Sequence, residues 1–451
     1  MAEVLYRILL GSKEFVKQCE DNIDDELLKK KLEEMRIRIG TLLKTDNVSF
    51  LFGAGASIPA GGVSLKNIPL KLEKLLVDKA LQEQKDTRPP MWIEVFYDTT
   101  SVIAKRSFSF EERSLYLKDI DLEDTKSESI PVNLEDYLSH LYMWLEGMKG
   151  NQTIHYLSDD KSLTLVRNAL DRLIKEITGT LISLLHLPLE GKQHELNVHR
   201  KFIKKVLTRP LNLRRTNIFT LNYDTLIEQA ADAEGVLLVD GFVGTLRRVF
   251  RPESYDVDFY FPAQTTEGHV HRFDRALHLY KLHGSLSWRS STAEWENPYG
   301  LYSTISDENQ PGQVVIYPSP LKYGQALSLP YSELFRRFGN AIVQPQSVLF
   351  AIGYGFGDEH VNAIIRQALA VPSFTLVVID PYPNDFVKKL ESLKDERIWT
   401  IIGSKLGRFD GFVDHLLPDL RDEEIERRVI RTYNELIKQD DSKEGSSDGD
   451  K

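Results

Sequence analysis

Cysteine is almost absent: Cys19 is the only one in 451 residues. A single thiol forms no internal disulfide and builds no cysteine-based zinc cage, which fits a reducing, cytoplasmic setting. Long apolar runs are missing as well. No uninterrupted stretch could span a bilayer, and the run Val4–Leu10 contains Arg7 and is too short for a secretory signal. No membrane association is expected. Positive charge is in short supply too. There are 57 Lys and Arg against 67 Asp and Glu, a net charge of -10. Phosphate contacts need a basic face, so direct nucleic-acid binding is not expected. The clusters Lys201–Lys205 and Arg214-Arg215 read as solvated faces.

What is present is ample material for a core. Hydrophobic residues make up 41% of the chain, and its length implies two or three compact units. Residues 1–40 read as a charged N-terminal helical segment, including Asp24–Ile39. A buried strand follows at about Val48, and Leu65–Leu81 has apolar residues at helical spacing up to the break at Pro89-Pro90. Residues 91–204 change character. Leu134–Met148 and Leu163–Leu187 show three- and four-residue apolar spacing, which predicts an inserted helical module. From about residue 205 to 420 strands and helices alternate, with strands at Asn217–Leu221, Val236–Val239, His278–Leu282, Val348–Ile352, Thr375–Ile379 and Ile398–Ile402. Such alternation implies a parallel sheet covered on both faces, with ligands beyond the carboxyl ends of the strands. Residues 421–438 read as a C-terminal helix and 439–451 as a disordered acidic tail.

The run Val48–Phe52 breaks into Gly53-Ala54-Gly55-Ala56-Ser57, a glycine turn whose backbone N–H groups could face a phosphate. It is not the usual dinucleotide fingerprint. Ile58 stands where a third small residue belongs, and the acids about 20 residues on, Glu73 and Asp78, lie in a helical pattern. An ordinary dehydrogenase is therefore not expected.

Three further segments sit at predicted strand ends. They are Leu221-Asn222-Tyr223-Asp224, Leu282-His283-Gly284-Ser285, and Gly353-Tyr354-Gly355-Phe356-Gly357-Asp358. Taken alone, Asn222 or Asp224 could simply cap a helix, and His283 could be a hydrogen-bonded structural group. In order with the first glycine loop, the segments resemble the SIR2-like family, the NAD-consuming relatives of sirtuins. The glycine run with His360 and Asn362 is similar to the branch found in bacterial antiphage defence proteins. The resemblance covers about 41–90 and 205–415. It implies an α/β fold: a Rossmann-like parallel sheet with helices on both faces, plus the inserted helical module as one wall of the cleft.

The chemistry that suits this set is cleavage of the N-glycosidic bond of NAD, used as substrate. Nicotinamide leaves as a neutral group from a cationic one, so the site must supply an oriented polar environment and a placed nucleophile. Asn222 would orient the carboxamide or the attacking water, Asp224 would hold nicotinamide or the adjacent loop, and His283 would activate ribose or water. Gly53, Ala54, Gly55 and Ser57 would cradle the pyrophosphate. By resemblance, Gly353, Gly355 and Gly357 would contact the adenosine ribose, with Asp380 near the adenine. His360 and Asn362 either cap and pack or line the cleft. His269-Val270-His271 reads as a solvent-facing strand edge rather than a metal site. The four-cysteine zinc module of deacetylating sirtuins is missing, so no zinc is expected. The resemblance implies an NAD hydrolase in antiphage defence. The alternatives are a protein deacylase or a non-catalytic NAD- or ADP-ribose-binding subunit. A free NADase would poison its host. A homo-oligomer is therefore expected, with control by a separate partner such as a HerA-type ATPase/helicase or an Argonaute.

Overall fold

The computed structural model describes residues 6–421 apart from 19–24, 64–66, 85–87, 119, 121–127, 132–133, 149–152, 159–160, 188–193, 263–269, 292, 305–312 and 317–329. The expected C-terminal helix, beyond its first residue, and the acidic tail lie outside the described residues. The centre is a nine-stranded sheet. In chain order its strands are β1 (Tyr6–Leu10), β2 (Lys13–Gln18), β3 (Asn47–Phe52), β4 (Asn217–Thr220), β5 (Leu237–Val239), β6 (Ala276–Lys281), β7 (Ser347–Ile352), β8 (Thr375–Asp380) and β9 (Ile398–Ile402). In space they run β2-β1-β9-β8-β7-β3-β4-β6-β5.

The seven strands from β9 to β5 are parallel, which gives the Rossmann-like arrangement expected from the alternation of strands and helices. Strand order reverses at β3: β4, β6 and β5 lie on one side, and β7, β8 and β9 on the other. A crevice at the carboxyl end of such a switch point is where ligands bind in open α/β sheets.

Both faces of the sheet are dry because side chains alternate along each strand. Val48, Phe50 and Phe52 enter one core, while Leu51, Leu349 and Ala351 enter the other. On the first face Phe50 stacks on Phe350 at 4.9 Å and meets the edge of Phe202, also at 4.9 Å. On the second, Phe219 stacks on Tyr280 at 4.6 Å and meets Phe338 at 4.9 Å. Phe202 comes from the helix Asn197–Val206, so this helix belongs to the sheet's core.

The N-terminal segment corrects the sequence reading. Among its described residues only Asp25–Leu43 is helical; Tyr6–Gln18 is a hairpin whose first strand pairs antiparallel with β9. The physical reason is a period of two: Tyr6 and Ile8 are buried and Arg7 between them is not. Gly11 turns the hairpin with φ of 62°, and a Cβ there would lie 2.7 Å from the Glu396 Cα.

Among the described residues, the buried members of a third core run from Ile68 to Leu181. The helix Ile68–Glu83 packs into it, although the sequence places this helix before the insert; Leu72, Leu76 and Ala80 share the core with Trp92 and Phe96 across the two prolines. Within the span expected as helical from Leu163, Lys161–Val166 forms a hairpin with Thr153–Ser158, and the helix covers Arg167–Leu185. Glu73 is fully buried here. Its carboxylate accepts from Arg113 Nε at 2.7 Å, Arg113 Nη2 at 2.6 Å and the Tyr97 hydroxyl at 3.0 Å. A second antiparallel sheet of five strands includes Gly284–Ser290, which follows directly on His283. Strand–helix alternation gives no sign of this sheet.

Arg113→Met should strand the Glu73 carboxylate in the third core. Breaking one side of a buried pair costs about 3–5 kcal/mol, read as a fall in the urea midpoint. Adding Glu73→Leu to Arg113→Met should recover part of the loss, because no buried charge then remains.

Candidate functional site

Hydrogen bonding continues one residue past the end of each strand and sets the site's level. Gly53 N donates to Ile352 O at 3.0 Å, Leu221 N to Phe52 O at 3.0 Å, and Leu282 N to Thr220 O at 2.9 Å. Gly353 N donates to Ile379 O at 2.9 Å. The loops carrying Gly53, Asn222, His283 and Gly353 therefore leave the sheet at the same edge. Asn222 and His283 follow neighbouring parallel strands, which lie about 4.8 Å apart.

The two glycine loops touch backbone to backbone across the switch point. Gly55 N donates to Gly353 O at 3.0 Å. A Cβ on Gly53 would stand 2.5 Å from Gly353 O, and one on Gly353 would stand 2.6 Å from Gly55 C. Gly353 also has φ of 59°. These glycines are thus required by loop-to-loop packing. Gly355 and Gly357 differ, since a Cβ on either would meet nothing within 4 Å.

The first loop is also closed on itself. The N–H groups of Gly53, Gly55 and Ser57 go to the carbonyls of Ile352, Gly353 and Ala54. Of the four residues expected to cradle a pyrophosphate, Ala54 is the one whose N–H makes no such bond among the described residues.

Asn222, Ser57 and Asp224 form one network. Asn222 Nδ2 donates to Gly53 O and to Ser57 Oγ, each at 2.9 Å. Ser57 Oγ in turn donates to Asp224 Oδ2 at 2.6 Å, and Asp224 Oδ1 accepts from Leu226 N at 3.2 Å. Both amide hydrogens of Asn222 are used, which leaves its carbonyl oxygen as the group it offers outward. The Ser57 hydroxyl and the Asp224 carboxylate serve to position Asn222.

Behind this network lies a cavity of about 10 Å³, room for roughly one water, lined among others by Ser57, His199, Asn222, Asp224, Glu228 and Lys281. Lys281 is 3% exposed; its ammonium donates to Glu228 Oε1 at 3.0 Å and to the Asp224 carbonyl. Burial raises the Glu228 carboxyl above the usual range, opposed by Lys281. Burial also pushes His199 down to about 4, against the pull of the Asp224 charge, so its imidazole is neutral at pH 7. His199 Nδ1 and Glu228 Oε2 have no hydrogen-bond partner among the described residues. A bound water would answer both. His199 lies in a separate helix, and no spacing rule ties it to the glycine loop.

His283 is 8% exposed, and its Nε2 lies 3.0 Å from Asp358 Oδ2. The other carboxylate oxygen of Asp358 accepts from His360 N at 2.9 Å and Val361 N at 3.3 Å, starting the helix Glu359–Leu369. Asp358 therefore caps a helix and fixes the imidazole. Its capping role is readable from the sequence, whereas its reach back 75 residues to His283 is not. Asn362 is buried and holds the loop, donating to Phe356 O at 2.9 Å and accepting from the Tyr354 hydroxyl at 3.0 Å. His360 is exposed, its ring edge-on to Phe335 at 4.5 Å.

Asp380 ends β8, 8% exposed, with Oδ1 accepting from Tyr382 N at 2.8 Å. Burial drives its carboxyl up to about 6, more than the Tyr382 N–H lowers it. His269 lies outside the described residues; His271 sits in the strand Val270–Arg272. Among the described residues no three His, Cys, Asp or Glu side chains gather closely enough to hold a metal, and no helix is long and apolar enough to cross a membrane.

Comparison with known proteins gives one family: residues 216–401 match the SIR2-like domain. The match supports an NAD-related, sirtuin-like function. No curated protein matches the chain. Among solved structures, a Sir2 homologue with a serine-to-alanine substitution, in complex with ADP ribose, aligns at 12% identity and TM-score 0.28, covering 83% of this chain and 96% of its own. A histidine-to-asparagine mutant of a Sir2 homologue, also with ADP ribose, aligns at 13% identity and TM-score 0.28, covering 83% and 95%. Similarity at that level says nothing about shared activity.

Two outcomes test this geometry. Gly53→Ala and Gly353→Ala should each lower the melting temperature by several degrees, because backbone must move, whereas Gly355→Ala should leave it nearly unchanged. Asp380→Asn should stabilise the protein at pH 8. The folded pKa is raised from 3.8 to about 6, so folding disfavours the charged form, and wild-type stability falls as pH rises through about 6. A gain of about 2–3 kcal/mol at pH 8 should shrink through pH 6 and vanish below about pH 4 in urea titrations.

Proposed function

Taking the SIR2-like domain at residues 216–401 as premise, we propose that the chain is an NAD+ glycohydrolase: water and NAD+ become nicotinamide, ADP-ribose and a proton. The observation that carries this reading is the Asn222 side chain. Its two amide hydrogens are held by Gly53 O and Ser57 Oγ, so the orientation of its carbonyl is set before a substrate arrives. A carbonyl oxygen accepts; it would take a hydrogen bond from the attacking water or a ribose hydroxyl at the anomeric carbon.

The bond to break joins a cationic nicotinamide to ribose, and the transition state carries oxocarbenium character. The leaving group departs neutral and needs no acid. What remains is to aim the water and remove its proton. His283, its Nε2 facing the Asp358 carboxylate at 3.0 Å, would take the proton of the attacking water, and the carboxylate would stabilise the imidazolium that forms. Ala54 N–H and the open side of Gly355 and Gly357 would take the pyrophosphate and adenosine portions, with Asp380 at the adjoining strand end. No zinc enters this scheme.

We further propose a cytoplasmic role in antiphage defence by NAD depletion. Activity would be restrained by self-assembly or by a separate protein such as a HerA-type ATPase/helicase or an Argonaute. A monomer fully active without additions would overturn the restraint.

Purified protein incubated with NAD, with and without an acetylated peptide, decides among the readings by chromatography. Free ADP-ribose without peptide is the expected product. O-acetyl-ADP-ribose would assign a deacylase, and intact NAD with measurable binding would assign a regulatory subunit. Asn222→Ala and His283→Ala should each lower nicotinamide release by about 100- to 10,000-fold. The lost hydrogen bonds should cost only about 1–2 kcal/mol, so both variants stay folded. Near-normal turnover in His283→Ala would rule out the mechanism.

A further inference from the structure

A cavity larger than the one behind Asn222 lies at the opposite edge of the sheet, where the strands begin. It encloses about 460 Å³, within the range of small-molecule sites. Asn47 and Asn217, which open β3 and β4, contribute to its lining, as do His278 and Tyr280 of β6. The candidate active site lies past the other ends of the same strands, so the two are separate.

Its charge is opposite to that of the chain. Five arginines, Arg214, Arg215, Arg272, Arg336 and Arg337, line it against Asp256 and Asp258, a local positive excess where the whole protein carries -10. Some of this is already paired. Arg215 and Arg272 share Asp258 at 2.5 and 2.6 Å, and Arg337 holds Asp256 through two bonds of 2.8 Å. Arg336 is more than half exposed and paired with Glu333 outside the lining. Arg214 is exposed, and its guanidinium makes no ion pair among the described residues. Glu333 holds Nε and Nη2 of Arg336 at 2.7 and 2.6 Å, so Arg336 offers its Nη1 and Arg214 its whole guanidinium at the mouth, donors that suit a phosphate.

The inner wall asks for something else. Tyr255 and Tyr280 stack at 4.2 Å, and His278 stands edge-on to both. His278 Nδ1 is 3.2 Å from Asn217 Oδ1, and its Nε2 is buried with no partner among the described residues. Burial and the Arg215 charge push this imidazole down to about 4, so it is neutral at pH 7. With the Nδ1 proton given to the Asn217 carbonyl, Nε2 is a lone pair that needs a donor. A fully deprotonated anion such as sulfate has no donor to give.

We propose that this cavity binds a phosphorylated small molecule of nucleotide size, its phosphate on Arg214 and Arg336 and a hydroxyl or amino group donating to His278 Nε2. The site is independent of the NAD-cleaving assignment, because it shares no lining residue with the cavity behind Asn222.

Titration calorimetry on the full chain tests it, with AMP, ribose 5-phosphate and sulfate as probes. AMP or ribose 5-phosphate should bind saturably, at least tenfold more tightly than sulfate. Arg214→Ala/Arg336→Ala, two exposed positions, should weaken that binding at least tenfold while circular dichroism stays unchanged. Asn222→Ala should leave it as it is. Three results would overturn the proposal: no saturable binding, equal affinity in the double variant, or binding lost in Asn222→Ala and kept in the double variant. Sulfate binding as tightly as AMP would also overturn it, since the His278 requirement would then be false.

Discussion

The contact between the loops after β3 and β7 is the constraint on which the site depends. These two loops meet backbone to backbone, where side chains would collide: a Cβ on Gly53 would stand 2.5 Å from Gly353 O, and one on Gly353 2.6 Å from Gly55 C. Gly53, Gly55 and Gly353 remove those side chains, and the Gly55 N–H···O Gly353 bond of 3.0 Å replaces them. Once the loops are locked, Gly53 O is fixed in space, and it is this carbonyl that takes one hydrogen of Asn222. Two chain segments about 300 residues apart thus determine the orientation of a third. The glycines do not chiefly admit a ligand to the backbone; they let the protein meet itself.

From there the polar groups are arranged in order of dependence. Asp224 holds Ser57, Ser57 holds Asn222, and Asp358 holds His283. Each positioning group has a second, structural bond, Asp224 to Leu226 N and Asp358 to the start of the helix Glu359–Leu369. A carboxylate tied at both oxygens has little freedom to turn, so the group it supports is held as well. The buried polar groups behind the site, Lys281, Glu228 and His199, keep the interior there from closing into an apolar core.

The sheet has two chemically different ends. At the carboxyl ends of the strands the groups are compact, mostly satisfied and backed by a cavity the size of one water. At the amino ends a much larger space is rimmed with guanidinium groups and floored by stacked tyrosines. The parallel arrangement produces this separation. In the seven parallel strands the starts gather at one edge and the ends at the other, which puts Asn47 and Asn217 in one site and Gly53 and Asn222 in the other.

By itself, the sequence determined the parallel sheet, because fully buried strands read as continuous apolar runs between helical spacings; β7, β8 and β9 fall where those runs predict. It also placed Asn222, His283 and both glycine loops at one edge, since each directly follows such a run. The N-terminal hairpin was missed because five-residue β1 is short and charged residues flank it; its alternation acquires meaning only when β9 covers it. The packing of Ile68–Glu83 into the helical core was missed for a similar reason, as an apolar face does not say what it will bury against. Only the tertiary structure decided that Asp358 holds His283, that Ser57 and Asp224 hold Asn222, and that Gly353 packs on Gly55. Local pattern sets which face or strand end a residue occupies. The partner it finds there depends on distances between segments far apart in the chain, and no local pattern encodes those.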